Sequence, residues 1–232
     1  VENVQLEKQR TVEDAGFNLK IADYFMRRAK PYLKSPVLDV GCGVGVVTRY
    51  VADLGFNVYG VDGNREKIVL AEKRVPEAEF ETAYLEKFSP SQRFGTVILK
   101  NVLEHFTEQE AISNLLRVKG WLSEDGVLIV YVPSKTSLHK RIWYAMGKDP
   151  TLGALTPLDR EVGHQQIYSK ESLLRQLSQA GFTPVYVRGL LVKPSPNRIM
   201  AFEPDAYCDA LFRVADDGAL VDVCSGVFCV CS

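Results

Sequence analysis

The chain has 232 residues, 46% hydrophobic and 25% charged, which suits one folded α/β domain. A formal net charge of −1 argues against the basic footprint of a nucleic-acid binder, and no apolar run is long enough to cross a bilayer. The opening Val1-Glu2-Asn3-Val4-Gln5 is polar rather than signal-like, and five cysteines without a signal predict reduced thiols in a cytoplasmic setting.

Residues 14–34 place Phe17, Ile21, Tyr24, Phe25, Ala29 and Leu33 at helical spacing, so residues 1–35 read as a helical N-terminal cap. After Pro36, Val37 to Val40 is a short strand, Gly41 to Gly45 a turn, and Val46 to Leu54 a helix. The alternation continues with a strand over 57–61 that ends at Asp62, a helix over 65–74, and strands over 78–81 and 96–99. A helix over 108–122 and an apolar strand over 126–132 follow. Ser169 is the expected N-cap of a helix that Gly181 ends. Strands over 182–188 and 223–230 close the chain, and on the last one Cys229 and Cys231 share a face. Strands alternating with helices predict a largely parallel sheet covered on both faces, in one domain over 1–232. Two stretches break the rhythm, 133–168 and 189–222, and both read as substrate-side insertions.

The most informative segment is Val37-Leu38-Asp39-Val40-Gly41-Cys42-Gly43-Val44-Gly45. Glycines between a strand and a helix let backbone approach a ligand, and the helix start offers free N–H groups. Asp62 follows about twenty residues on, at the end of the second strand, where an acid meets ribose hydroxyls in nucleotide-binding folds. The third glycine falls at Gly-x-Gly-x-Gly spacing, which differs from the pyrophosphate fingerprint. Asp39 would repel a pyrophosphate and suits a ligand with a positive group, such as the amino end of methionine. Both points weigh against a nicotinamide dinucleotide enzyme.

This motif resembles the first motif of class I S-adenosylmethionine-dependent methyltransferases. Asn101-Val102-Leu103-Glu104-His105-Phe106 resembles the segment after that family's fourth strand. Leu122-Ser123-Glu124-Asp125-Gly126-Val127-Leu128 resembles the approach to its fifth. His164-Gln165-Gln166-Ile167-Tyr168-Ser169, Leu173-Leu174 and Ala180-Gly181-Phe182 are similar to the small-molecule branch, which includes ubiquinone-type and sugar O-methyltransferases. The resemblance covers roughly 36–188. It implies a Rossmann-like seven-stranded sheet, mostly parallel with the last strand antiparallel. It implies S-adenosyl-L-methionine as cofactor, S-adenosyl-L-homocysteine as product, and 36–132 as the cofactor-binding half. In that scheme Asp39, Gly41, Cys42, Gly43 and Gly45 flank the methionyl part, and Asp62 with Gly63 holds the ribose. Ala83, Tyr84 and Leu85 line the adenine, and Asn101 and Val102 complete the site. Many relatives carry an Asp where Ala83 stands, so the adenine contacts fall to backbone or to Tyr84.

Methyl transfer to oxygen needs a positioned hydroxyl and benefits from a base. Of three histidines, His164 at the end of the first insertion and His105 after the fourth strand are the candidates. Each has a structural alternative as a residue that pins its loop. His139 reads as part of a solvated face with Lys140 and Arg141. Leu138, Ile142, Trp143, Tyr144 and Met146 form an apolar helix face that either walls a pocket or packs on the sheet. Asp159, Arg160 and Glu161 bring charge near His164. Arg188 and Lys193 suit a phosphate or carboxylate but default to the surface. The stretch 202–214 reads as a second lid helix or a dimer contact. No carboxylate cluster stands at metal-ligand spacing, so no metal is expected. The expected activity is methylation of a hydroxyl on a small molecule such as a sugar or phenol, by a monomer or homodimer. N-methylation of an amine, or a non-catalytic cofactor-binding role, stands as the alternative.

Overall fold

Short runs of β-branched and aliphatic residues between turn signals become the strands of a seven-stranded sheet in a computed structural model, which describes residues 16–148 and 152–232. The strands are β1 (Val37–Val40), β2 (Val58–Asp62), β3 (Glu79–Thr82), β4 (Phe94–Lys100), β5 (Leu122–Pro133), β6 (Pro184–Gly189) and β7 (Gly226–Cys231). They lie in the order β3-β2-β1-β4-β5-β7-β6. β7 slots between β5 and β6 antiparallel to both, and every other pairing is parallel. This is the expected Rossmann-like sheet with its last strand reversed.

Alternation along each strand sorts the core into two layers. Leu38, Val40, Val97, Leu99, Leu128, Val130, Cys229 and Cys231 face α4 (Glu108–Trp121) and α7 (Lys170–Gln179), which contribute Ala111, Leu115, Val118, Leu173 and Leu177. Val37, Val58, Ile98, Ile129, Phe228 and Val230 face α1 (Phe17–Ala29) and α2 (Val46–Asp53). α3 (Arg65–Arg74) follows β2, and its start is capped by the Asn64 side chain. Ser169 caps α7 as expected, and Thr107 and Glu110 form a reciprocal capping box at α4. The predicted partners Cys229 and Cys231 do share a face, with Sγ atoms 3.5 Å apart.

Several boundaries differ from the expectation. β5 begins at Leu122, because a register shift between Phe94 and Thr96 lets Leu122 pair with Phe94. β7 begins at Gly226, because Gly218–Val223 winds into a 3-10 segment. The first insertion carries α5 (Leu138–Ala145) and α6 (Pro157–Glu161), and the second carries α8 (Asn197–Met200) and α9 (Asp205–Val214). Ile142, Trp143, Tyr144 and Met146 of the α5 region are exposed, so this face does not pack on the sheet. α9 is not a free-standing lid. Phe212 stacks on Tyr24 of α1 with ring centroids 4.7 Å apart, and the buried Arg28 guanidinium bonds Asp216 at 2.5 Å.

β1 and β4 are neighbours, while the chain from β1 runs outward through β2 and β3. That reversal opens a crevice at the carboxyl ends of β1 and β4, the place where doubly wound sheets bind ligands. Among the described residues no helix is long and apolar enough to cross a membrane.

Candidate active site

The loop after β1 is a cradle of backbone. Gly41, Gly43 and Gly45 have φ of 68°, 56° and 79°, the left-handed region that a side chain disfavours. At Gly41 space also decides, since a Cβ would lie 2.7 Å from Val102 Cγ2. Asp62 fixes the loop from the neighbouring strand. Its Oδ2 accepts from Gly43 N at 3.0 Å and its Oδ1 from Asn64 N at 2.8 Å. Asp39 lies under the loop, buried on the α2 side of β1, and its Oδ2 accepts from the Thr48 hydroxyl at 2.7 Å. Burial pushes this carboxyl up to about 6, with the Thr48 bond acting the other way. Cys42 is buried, and its sulfur lies near the Cα of Gly60 in β2.

The rim of the crevice comes from β3 and β4. Tyr84 is 60% exposed, and its ring covers Gly63 so closely that a Cβ there would sit 2.6 Å from it. Ala83 N donates to Asp62 O, whereas Leu85 is buried in the core and stands behind this surface. Asn101, at the end of β4, has φ 57° and is the only non-glycine residue with positive φ among the described residues. Asn tolerates that conformation, and such backbone concentrates at functional sites. Its neighbour Val102 is buried against Gly41.

Across the crevice, the end of the first insertion folds back onto the segment after β4. Gln165 N donates to Glu104 O, and Gln166 Nε2 donates to Phe106 O. This brings the His105 and His164 rings together at 5.0 Å and 76°. His164 Nδ1 lies 3.1 Å from Asp159 Oδ1, and Asp159 Oδ2 accepts from the Thr156 amide at 2.8 Å and hydroxyl at 2.6 Å. Burial alone would raise the Asp159 carboxyl, but these bonds carry it well below the usual carboxylate range. An ionised Asp159 only accepts, so Nδ1 donates to it, and in the neutral ring Nε2 is the acceptor. Burial and the neighbouring His164 hold His105 below its ordinary value. Beneath them Glu104 is 1% exposed, and neither carboxylate oxygen has a hydrogen-bond partner among the described residues. Burial pushes it up to about 7.

A family model described as "Methyltransferase domain" matches residues 13–187. The chain belongs to this methyltransferase family. Over 124 residues the methyltransferase is 29% identical to the ubiquinone biosynthesis O-methyltransferase of Actinobacillus pleuropneumoniae serotype 7 (strain AP76), covering 49% of this chain and 52% of that protein. Over 180 residues it is 29% identical to the mitochondrial ubiquinone biosynthesis O-methyltransferase of Bos taurus, covering 71% of this chain and 46% of that protein. The chain thus spans about half the length of these relatives. The fold matches the magnesium protoporphyrin IX methyltransferase of Synechocystis PCC 6803 with bound S-adenosylhomocysteine, at a TM-score of 0.65 and 17% identity over 98% of this chain and 94% of that one.

The methyltransferase gathers at one crevice what its sequence spreads over more than a hundred positions. Gly41–Gly45, Asp62, Tyr84 and Asn101 meet around β1 and β4, and His105 and His164 meet at the rim. Glu104 and Asp159 take a larger part than their sequence context suggested. Glu104, His105 and His164 each offer a ligand atom, all within 4.8 Å of one another, so this trio could hold a metal ion. The trio spans two segments of the chain, which is why local spacing showed no such cluster. Two other readings are corrected. His139 is not on a solvated face: its Nδ1 lies 3.0 Å from the buried Ser137 hydroxyl, and burial holds it down to about 3. Lys193 is buried, not on the surface.

Proposed function

We propose that this enzyme methylates a hydroxyl of a small molecule, such as a sugar or a phenol. When bound, S-adenosylmethionine supplies an electrophilic methyl group. The residues present suit it. The open glycine backbone accepts a close ligand, Asp39 is a buried carboxylate for an amino group, and Asp62 keeps lone pairs for ribose hydroxyls. Gly63 and the exposed Tyr84 ring fit the adenine side, with Ala83 and Leu85 behind it. Val102 backs the loop, Asn101 borders the crevice, and Cys42 packs beneath. We also assign 36–132 to cofactor binding, and 133–168 and 189–222 to the acceptor side.

The Asp159–His164 pair carries the reading of the chemistry. With Nδ1 donating to Asp159, Nε2 takes the proton of the acceptor hydroxyl, and Asp159 stabilises the imidazolium that forms. His105 packs edge-on beside it and restricts the ring. The names of the ubiquinone O-methyltransferase relatives agree with oxygen as the acceptor atom.

The test is transfer from labelled S-adenosylmethionine to pooled phenols, neutral sugars, amino sugars and nucleotide-linked sugars, each with and without chelator. Label in the phenol, neutral-sugar or nucleotide-linked sugar pool, lost in His164→Ala with S-adenosylhomocysteine affinity retained, supports the assignment. Label confined to the amino sugars, or turnover unchanged in His164→Ala, refutes it.

A further inference from the structure

Lys193 lies just beyond β6, in the 189–222 insertion, and is 9% exposed. Three parts of the chain converge on it. Its Nζ donates to Asn197 Oδ1 at 2.6 Å, and Asn197 Nδ2 donates to Asn18 Oδ1 at 2.8 Å, in the first turn of α1. Its carbonyl accepts from His139 N at 3.1 Å, at the start of α5 in the other insertion. β6 runs parallel to β5, since both are antiparallel to β7, so both insertions leave the same edge of the sheet as the Gly41–Gly45 loop.

The charge here is one-sided. No ion pair involving Lys193 forms among the described residues, and the charged group that acts on it is another cation, Lys140. Burial, reinforced by Lys140, draws the ammonium down to about 8, and the adjacent His139 is held neutral. An ammonium has three donors, and a single amide oxygen engages one of them. A cation withdrawn from water with so little return is costly for the fold alone. An anion arriving from outside would supply what the protein withholds. Asn197, itself held by Asn18, takes one donor, and no other hydrogen bond from this ammonium forms among the described residues.

We propose that Lys193, set by Asn197 and Asn18, binds an anionic group on the methyl acceptor, a carboxylate or a phosphate. The inference rests on the methyl-transfer reading, because it takes the insertions as the acceptor side. It identifies the acceptor as a hydroxyl compound carrying a negative charge.

The test is binding calorimetry on the enzyme saturated with S-adenosylhomocysteine. The probes are 3,4-dihydroxybenzoate against its methyl ester, and phenyl phosphate against phenol. At least one anion is expected to bind about tenfold or more tightly than its neutral counterpart, and which one does so separates carboxylate from phosphate. Lys193→Met is expected to bring that anion to the level of the neutral probe while S-adenosylhomocysteine affinity stays unchanged. If Lys193→Met does not fold, Asn197→Asp serves instead, since it supplies an internal anion to the ammonium and must erase the preference. Equal binding of anions and neutral probes, or a preference that survives these substitutions, overturns the proposal. Loss of S-adenosylhomocysteine affinity in Lys193→Met overturns it too, by placing the cation on the cofactor. These readouts need no turnover, so they stand apart from failure of the methyl-transfer assay.

Discussion

Asp39 and Asp62 belong to one cradle but are held in different ways. Asp62 sits at the edge, half-buried, with a backbone amide on each oxygen. Replacing it by Ala removes a charged acceptor from the proposed ribose position and unpins Gly43. Cofactor binding is expected to weaken by about 1.5–3 kcal/mol, read by titration with S-adenosylhomocysteine. Asp39 is buried with one hydroxyl donor, and its carboxyl is raised to about 6. A carboxyl raised in the folded state costs nothing below its unfolded value. The cost grows as pH rises through the window from 3.8 to about 6 and is complete above it. Asp39→Asn keeps the Thr48 bond and removes this cost. The ligand-free variant is expected to match wild type near pH 3.5 and to exceed it by up to roughly 3 kcal/mol at pH 8, seen as a higher urea midpoint. Its S-adenosylhomocysteine affinity is expected to fall. A midpoint difference that is flat with pH would show that Asp39 is not the strained group. Both acids were legible in the sequence because Asp39 lies two residues before the glycine-rich turn and Asp62 ends a strand just before a helix start. Asp159 was placed near His164 by the sequence and does pair with it, five residues away, whereas Glu104 was read only as part of a motif, since its burial depends on a contact between 103–106 and 163–166 that no local pattern encodes. Lys193 and His139 were misread for a related reason: a lysine defaults to the surface and a histidine beside Lys140 and Arg141 looks solvated, but the two insertions meet at these residues, where His139 N donates to Lys193 O.

At the scale of elements, the glycine loop shows how a turn depends on a strand three connections away. Gly41 has φ 68° and faces Val102, which follows β4. Gly41→Ala meets two separate penalties: about 1–2 kcal/mol for the left-handed backbone, and the contact of its Cβ with Val102 Cγ2 at 2.7 Å. The variant is expected to lose S-adenosylhomocysteine affinity about tenfold or more. Adding Val102→Ala should recover the steric part only, and a double-mutant cycle measures that coupling. Additive effects would mean that the two residues do not share the loop's geometry. Elements of this kind were readable where periodicity and caps agree. β1 and α3 follow their predicted limits, and Ser169 caps α7. The limits of β5 and β7 escaped, because a register shift in one and a 3-10 segment before the other obey tertiary packing rather than local preference. For the apolar α5 face the sequence left two readings open, a pocket wall or packing on the sheet, and the fold removes the second. Its residues look like core by composition, yet the fold leaves them exposed.

Over the whole molecule, α1 is the element that ties the ends of the chain together. Phe25 is fully buried, and its ring meets Tyr131 of β5 at 6.2 Å and Phe228 of β7 at 5.6 Å, both edge-on. One turn on, Arg28 is buried and bonds Asp216 and the Tyr186 hydroxyl, so α1 also holds β6 and the segment after α9. The proposed cofactor cradle lies on the other side of the sheet order, around β1, β2 and β4. Stability and cofactor binding should therefore separate at Phe25. Phe25→Ala leaves a cavity among Tyr131, Phe228 and their neighbours and is expected to cost about 3–5 kcal/mol, seen as a lower urea midpoint. In the folded population its S-adenosylhomocysteine affinity should stay near wild type, because the ring contacts of Phe25 are with β5 and β7. Excess ligand should return stability in proportion to its binding, about 2.7 kcal/mol at a hundred times Kd. The size of that return distinguishes two architectures. An equal return in wild type and variant means that α1 acts as a scaffold, independent of the crevice. A smaller return in the variant means that α1 shapes the cradle through β1, and the N-terminal helix would then count as part of the site.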